Sequence, residues 1–92
     1  MKWRLFANLA ETAGTKEVEV DVGGGDTFRD AFDALLDAHP ELREEVLDEE
    51  GNIQEHIRVL RNDHNPFVQD EGFETRLDEG DELALFPPVS GG

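Results

Sequence analysis

Cysteine is absent from the 92 residues. Its absence excludes a disulfide framework, a thiolate metal site and a cysteine nucleophile on this chain. Nowhere do about 18 apolar residues run together as a membrane span requires. The opening Met1-Lys2-Trp3-Arg4-Leu5-Phe6 lacks the apolar stretch of a signal peptide, so a soluble, cytoplasmic protein is expected. Positive charge is scarce. Eight Lys and Arg stand against 23 Asp and Glu, giving a net charge of -15, and only Lys2 and Lys16 are lysines. Such a chain repels phosphate backbones and anionic lipid, so neither a nucleic acid nor a membrane is an expected direct partner.

The acids are spread along the whole chain, which reads as a solvated coat suited to molar salt, where a Debye length of about 3 Å screens self-repulsion. The alternative is an acidic docking face for a partner with a positive patch. The length allows one small domain with a single core.

Trp3, Leu5 and Ala7 alternate with Lys2, Arg4 and Phe6, the period of a strand. Residues 8–14 form a helical turn or loop ending at Gly14. Val18, Val20 and Val22 alternate with Glu17, Glu19 and Asp21, a second strand with one dry and one wet face. Gly23-Gly24-Gly25 breaks it. Phe28 occupies the place where a dinucleotide fingerprint needs its third glycine, so that motif is unsupported. Thr27 and Asp30 have the spacing of a capping box, and Phe28, Ala31, Phe32, Leu35 and Leu36 form one stripe of a helix closed by His39-Pro40. A short second helix follows over 41–47, with Leu42 and Val46 inward. Residues 56–61 alternate as a strand, with Ile57 and Val59 on one side and His56, Arg58 and Leu60 on the other. Residues 62–66 are turn chemistry, 67–76 read as a loop or edge strand, and an acidic turn over 77–82 feeds a last strand ending at Phe86. The order predicts an α+β domain with one main helix across a mixed sheet of four to five strands, spanning 1–86.

Few residues suggest chemistry. Asp63 and Asn65 begin like a calcium loop, but Val68 fills the sixth position, where glycine is required. His39, His56 and His64 lack ligand spacing on a shared element. No nucleophile with a base partner is visible, and the acids are too many for any carboxylate pair to be singled out. The body of the chain therefore does not read as catalytic.

The tail, Pro87-Pro88-Val89-Ser90-Gly91-Gly92, is different. Two prolines stop a sheet and favour an extended left-handed helix, so six residues reach roughly 20 Å, beyond a domain radius of about 12 Å. Gly91 and Gly92 carry no side chains and can thread a narrow channel into a partner's active site.

Residues 83–92, Leu83-Ala84-Leu85-Phe86-Pro87-Pro88-Val89-Ser90-Gly91-Gly92, preceded by Gly80-Asp81-Glu82, resemble the C-terminus of the molybdopterin synthase small subunit and of small archaeal ubiquitin-like modifiers, relatives of the ThiS-like sulfur carriers. Leu5-Phe6-Ala7-Asn8-Leu9-Ala10-Glu11-Thr12-Ala13-Gly14 and the helix after Thr27 look like the same family. The resemblance covers nearly the whole chain and implies a β-grasp fold; with the acidic, lysine-poor composition it points to a haloarchaeal member. The stretch 62–75 is longer and more polar than in a minimal carrier.

The resemblance implies that an E1-like enzyme uses ATP to adenylate the Gly92 carboxylate, the chain itself holding no cofactor. From there two outcomes stay open. A lysine of a target protein attacks and an isopeptide bond forms, or sulfur is installed as a thiocarboxylate for molybdopterin synthesis, with the synthase large subunit as partner, or for tRNA thiolation. A binding module with an idle tail is the third reading. A monomer is expected, and no processing step is needed to expose Gly91-Gly92. Strand parity adds a partner surface independently of the resemblance. Phe6, Leu60 and Phe86 fall on the face opposite Leu5, Val59 and Leu85, and they join Pro87, Pro88, Val89 and Ser90 as expected partner contacts.

Overall fold

The computed structural model describes residues 1–54 and 57–87. In β1 (Lys2–Leu5) Trp3 and Leu5 point inward while Lys2 and Arg4 stay exposed. β2 (Glu17–Glu19) runs antiparallel along one side, with Trp3 opposite Val18. β4 (Glu82–Phe86) runs parallel along the other side, with Trp3 beside Leu83 and Leu5 beside Leu85. β3 (Arg58–Arg61) closes the sheet antiparallel to β4, giving the order β2-β1-β4-β3. A parallel pair cannot be joined by a hairpin, so the long connection between β1 and β4 must cross over the sheet.

The helix of that connection is α2 (Phe28–Ala38). The amide of Asp30 donates to the Thr27 hydroxyl at 3.3 Å, and the amide of Thr27 donates to the Asp30 carboxylate at 3.0 Å, the expected capping box. Phe28, Ala31, Phe32, Leu35 and Leu36 are all buried. The four large side chains contribute about 1.5–3 kcal/mol each before entropy is subtracted. The Trp3 indole N–H donates to the Ala31 carbonyl at 3.0 Å, so the largest core residue has its polar atom satisfied and ties sheet to helix. A 3-10 turn at Pro40–Leu42 runs into α3 (Arg43–Val46), and Leu42 and Val46 close the same core, as their spacing predicts.

Three expectations need correction. β1 ends at Leu5 and does not reach Ala7, because Phe6-Ala7-Asn8-Leu9 is a tight turn, with the Leu9 amide donating to the Phe6 carbonyl at 3.1 Å. It leads into α1 (Asn8–Ala13), which stops at Gly14 in the left-handed region. The ladder of β2 covers only Glu17–Glu19, although Val20 stays buried and its amide reaches the Met1 carbonyl at 2.8 Å. The largest difference lies in 67–76, which pairs as an edge only at Arg76, in an isolated antiparallel bridge to Thr27, and is otherwise neither open loop nor strand. It folds as α4 (Pro66–Gln69) and a 3-10 turn at Gly72–Glu74. The Asn65 side chain accepts from the Phe67 amide at 2.8 Å, and Pro66 supplies the backbone angle of a first helical position. Phe67 then stands edge-on to Phe28 and Phe73, at 5.8 and 5.0 Å between centroids. Gly72 has φ +63°, and a Cβ there would meet the Phe67 ring at 3.1 Å. The segment is thus folded over the start of α2 by its aromatics.

Candidate functional site at the ends of the central strands

Parallel pairing sets Leu5 beside Leu85, so the next residue of each chain segment, Phe6 and Phe86, emerges side by side on the opposite face. Their rings stack at 4.2 Å between centroids and 8° between planes. Phe6 remains 37% exposed. Phe86 pairs across the sheet with Arg58, and Leu60 pairs with Ala84. Phe6, Phe86, Ala84 and Leu60 therefore share the face turned away from α2. Leu60 is half-buried and sits two residue pairs further down the sheet from the aromatic stack. Pro87, half-buried, follows at the root of the tail; Pro88, Val89, Ser90, Gly91 and Gly92 lie outside the described residues.

Charge on this face departs from the rest of the chain. Lys2, Arg4 and Arg58 point outward here, opposed by Glu17, Glu19 and Glu82, so three cations meet three carboxylates on a protein of net charge -15. Lys2 and Arg4 both approach Glu17, at 3.8 and 3.9 Å. The signal was present in the sequence, since Lys2 and Arg4 share the parity of Phe6, but composition drew attention only to the acidic excess.

The backbone just before α1 is strained. Ala7 has φ 52° and ψ -130°, at the second position of the turn closed by Phe6 and Leu9. These angles suit glycine, and an alanine held there costs about 1–3 kcal/mol. Beyond Phe6 opens a groove of about 1010 Å³, walled by Leu5, Phe6, Ala7, Ala10 and Lys16.

A second polar centre, missed in the sequence, anchors the other end of the sheet. Arg61, 13% exposed, donates through Nε to Asp81 at 2.9 Å and through its two terminal nitrogens to Asp70 and Asp78, both at 3.3 Å. Asp81 also accepts from Asn62 Nδ2 and from the Asp78 amide, both at 2.8 Å. Burial works against ionisation of Asp81, but the bonds from the Asp78 amide, Asn62 and Arg61 outweigh it and hold the carboxyl below its ordinary range. This network ties β3, the 3-10 turn region and the turn before β4 together. Of the histidines, His39 meets Glu41 at 3.1 Å and His64 meets Asp70 at 3.6 Å; His56 lies outside the described residues. Asn65 is used as a helix cap.

A four-stranded mixed sheet with a parallel central pair and one helix laid across it is the β-grasp architecture of ubiquitin-like proteins, the fold of a small archaeal modifier that is 50% identical to this chain. The chain belongs to the ThiS family, whose model matches residues 3–92. It is 52% identical to small archaeal modifier protein 1 of Haloferax volcanii, over the full length of both chains. The crystal structure of that modifier from Haloferax volcanii superposes with a TM-score of 0.88 at 50% identity, covering 100% of this chain and 98% of the other. The molybdopterin synthase sulfur carrier subunit of Chlamydomonas reinhardtii is 29% identical, over 100% of this chain and 98% of its own. Among the described residues no helix is long and apolar enough to cross a membrane.

Proposed function

We propose that the chain is a protein modifier that works through the carboxyl group of Gly92. The full-length identity to a small archaeal modifier carries this reading. A carboxylate does not react with amines, because its carbonyl carbon is poorly electrophilic and an oxide is a poor leaving group. A separate E1-like enzyme uses ATP to convert it to an acyl adenylate, releasing pyrophosphate, and AMP is the group that departs when a nucleophile attacks. A lysine of a target protein then attacks, and an isopeptide bond joins it to Gly92. Phe6, Leu60 and Phe86 supply an apolar footing on a locally neutral face, where an acidic partner approaches without the repulsion of the surrounding coat. Pro87, Pro88, Val89 and Ser90 span from that footing to Gly91 and Gly92, and no cofactor is held on the chain. The reaction takes place in the cytoplasm, with the chain acting as a monomer.

A second reading rests on the ThiS family match and on the molybdopterin synthase relative. The same adenylate receives sulfur, and Gly92 carries it as a thiocarboxylate to an acceptor such as the large subunit of a molybdopterin synthase or a tRNA-thiolating enzyme. With no cysteine on the chain, Gly92 is where the sulfur resides. The two readings are separated by intact mass of tagged protein from its own cells, together with a blot for high-mass conjugates. A ladder of conjugates marks a modifier, and replacement of one oxygen by sulfur at Gly92 marks a carrier. Deleting Gly91 and Gly92 erases both signals; persistence of either refutes the mechanism.

A further inference from the structure

The chain offers very few amines, and their surroundings differ. The amino group of Met1 is bonded to the carbonyl of Val20 at 2.8 Å and lies 3.3 Å from Glu19. Lys2 lies in β1 and approaches Glu17 at 3.8 Å. Lys16 is exposed in the turn before β2, and among the described residues no carboxylate stands within 4 Å of its amine. It is also on the wall of the groove beside Phe6, whose lining combines Leu5, Ala7 and Ala10 with the carboxylates of Glu11 and Glu17. Both lysines are exposed, but among the described residues only Lys16 has no carboxylate within 4 Å of its amine, and it borders the groove beside Phe6.

We infer that Lys16 is an acceptor for the Gly92 carboxyl group of a second copy of this chain, so that the modifier builds Lys16-linked chains. This rests on activation of Gly92 as proposed above. The occupant of the groove is the donor's C-terminal segment. Pro87, Pro88 and Val89 are apolar and favour an extended helix, the shape that docks on aromatic-lined grooves. Gly91 and Gly92 have no side chains to obstruct the final approach. A stretch of six residues, roughly 19 Å at about 3.1 Å each, is long enough to run along the groove from Phe6 to Lys16. In the step, the deprotonated Lys16 Nζ attacks the Gly92 carbonyl carbon of the acyl adenylate. A C–N bond forms, the bond from that carbon to the phosphate oxygen breaks, AMP leaves with the electron pair, and the second ammonium proton passes to solvent. Two copies of charge -15 repel strongly, so the reaction requires molar salt to screen the encounter.

The test uses the full chain, its activating enzyme, ATP and Mg²⁺ in molar KCl, with linkage mapped by peptide mass. The expected result is a species of two chains less one water, branched at Lys16, lost in Lys16→Arg and retained in Lys2→Arg. In Lys16→Arg, pyrophosphate release on adenylation and conjugation to other proteins stay at wild-type levels. A branch at Lys2, a monomer less one water, or conjugation to other proteins with no two-chain species overturns the inference and leaves the function reading standing. Failure of Gly92 to form an adenylate at all overturns both. An independent arm uses the full chain carrying a C-terminal thioester, which bypasses the enzyme: its aminolysis by a second copy is expected at Lys16 ahead of Lys2, and equal labelling of the two refutes the selectivity.

Discussion

Phe6 and Phe86 lie ring over ring, 4.2 Å apart between centroids, on the sheet face opposite the helix and one residue before the tail begins. Phe86 is the last residue of β4 and Phe6 follows directly on β1, so the backbone beneath each ring is fixed by a strand that carries the core on its other side. Phe86→Asp is expected to leave the fold standing, because the side chain faces outward, with a destabilisation of about 1 kcal/mol from the lost stack. Adenylation or docking on an acceptor enzyme should fall by at least about tenfold, the equivalent of about 1.4 kcal/mol at the interface. Equal rates of pyrophosphate release for wild type and variant, at matched folded fraction, with equal docking on the acceptor enzyme, would remove the patch from the mechanism.

How much of this site could be read from the residues depends on the kind of signal. Strand parity put Phe6, Leu60 and Phe86 on one face correctly, because in a strand a residue's face depends only on whether its number is odd or even. Parity could not say which strands are neighbours, and so could not reveal that Phe6 and Phe86 stack while Leu60 sits beside Ala84. The helix after Thr27 was legible in full, since its cap and its stripe are local. The 67–76 stretch was not: its helical turns are held by Phe67 and Phe73 against Phe28, contacts that cross nearly half the chain. Arg61 was invisible for a similar reason, as its three carboxylates come from positions 70, 78 and 81 among 23 acids.

Ala7 gives a test of the turn that sets Phe6. Its φ of 52° with ψ -130° is a glycine conformation, so Ala7→Gly relieves about 1–3 kcal/mol of strain and gives back about 0.4–1 kcal/mol through a more flexible unfolded chain. A net gain of about 1 kcal/mol corresponds to a rise in Tm of about 4–8 °C for a domain of this size. Ala7→Val should lower Tm, since a branched side chain is worse there. A lower Tm for the glycine variant would mean that the turn adopts another geometry in solution.

Asp81 predicts an acid dependence. Its carboxyl is held below the ordinary value, so its stabilising contribution is fully present above the unfolded value of about 3.9 and is lost as pH falls through the lower folded value. Asp81→Asn removes a charge-assisted bond from Arg61 worth about 1.5–3 kcal/mol, and the guanidinium keeps Asp70 and Asp78. Denaturant melts in molar KCl should show wild type more stable than Asp81→Asn by about that amount at pH 7. The gap should close as the pH falls below about 4. A gap that stays constant down to pH 2 would show that the charge of Asp81 is not what Arg61 reads.

The acidic coat makes the broadest claim, because it bears on every surface except the sheet face. With three cations and three carboxylates on that face, the excess of 15 negative charges is carried elsewhere. Those charges repel one another in the folded state more than in the expanded chain, and salt screens the difference away as the Debye length falls from about 10 Å at 0.1 M to about 3 Å at 1 M. Tm is therefore expected to rise by on the order of 10 °C from low salt to molar KCl, about 2 kcal/mol for a domain of this size. Docking through Phe6 and Phe86 should gain from the same salt, since a partner meets the neutral face only after passing the charged flanks. If Tm is flat across that range while docking weakens with salt, the acids serve as a binding face for a positively charged partner, and the reading of the coat as an adaptation to salt fails.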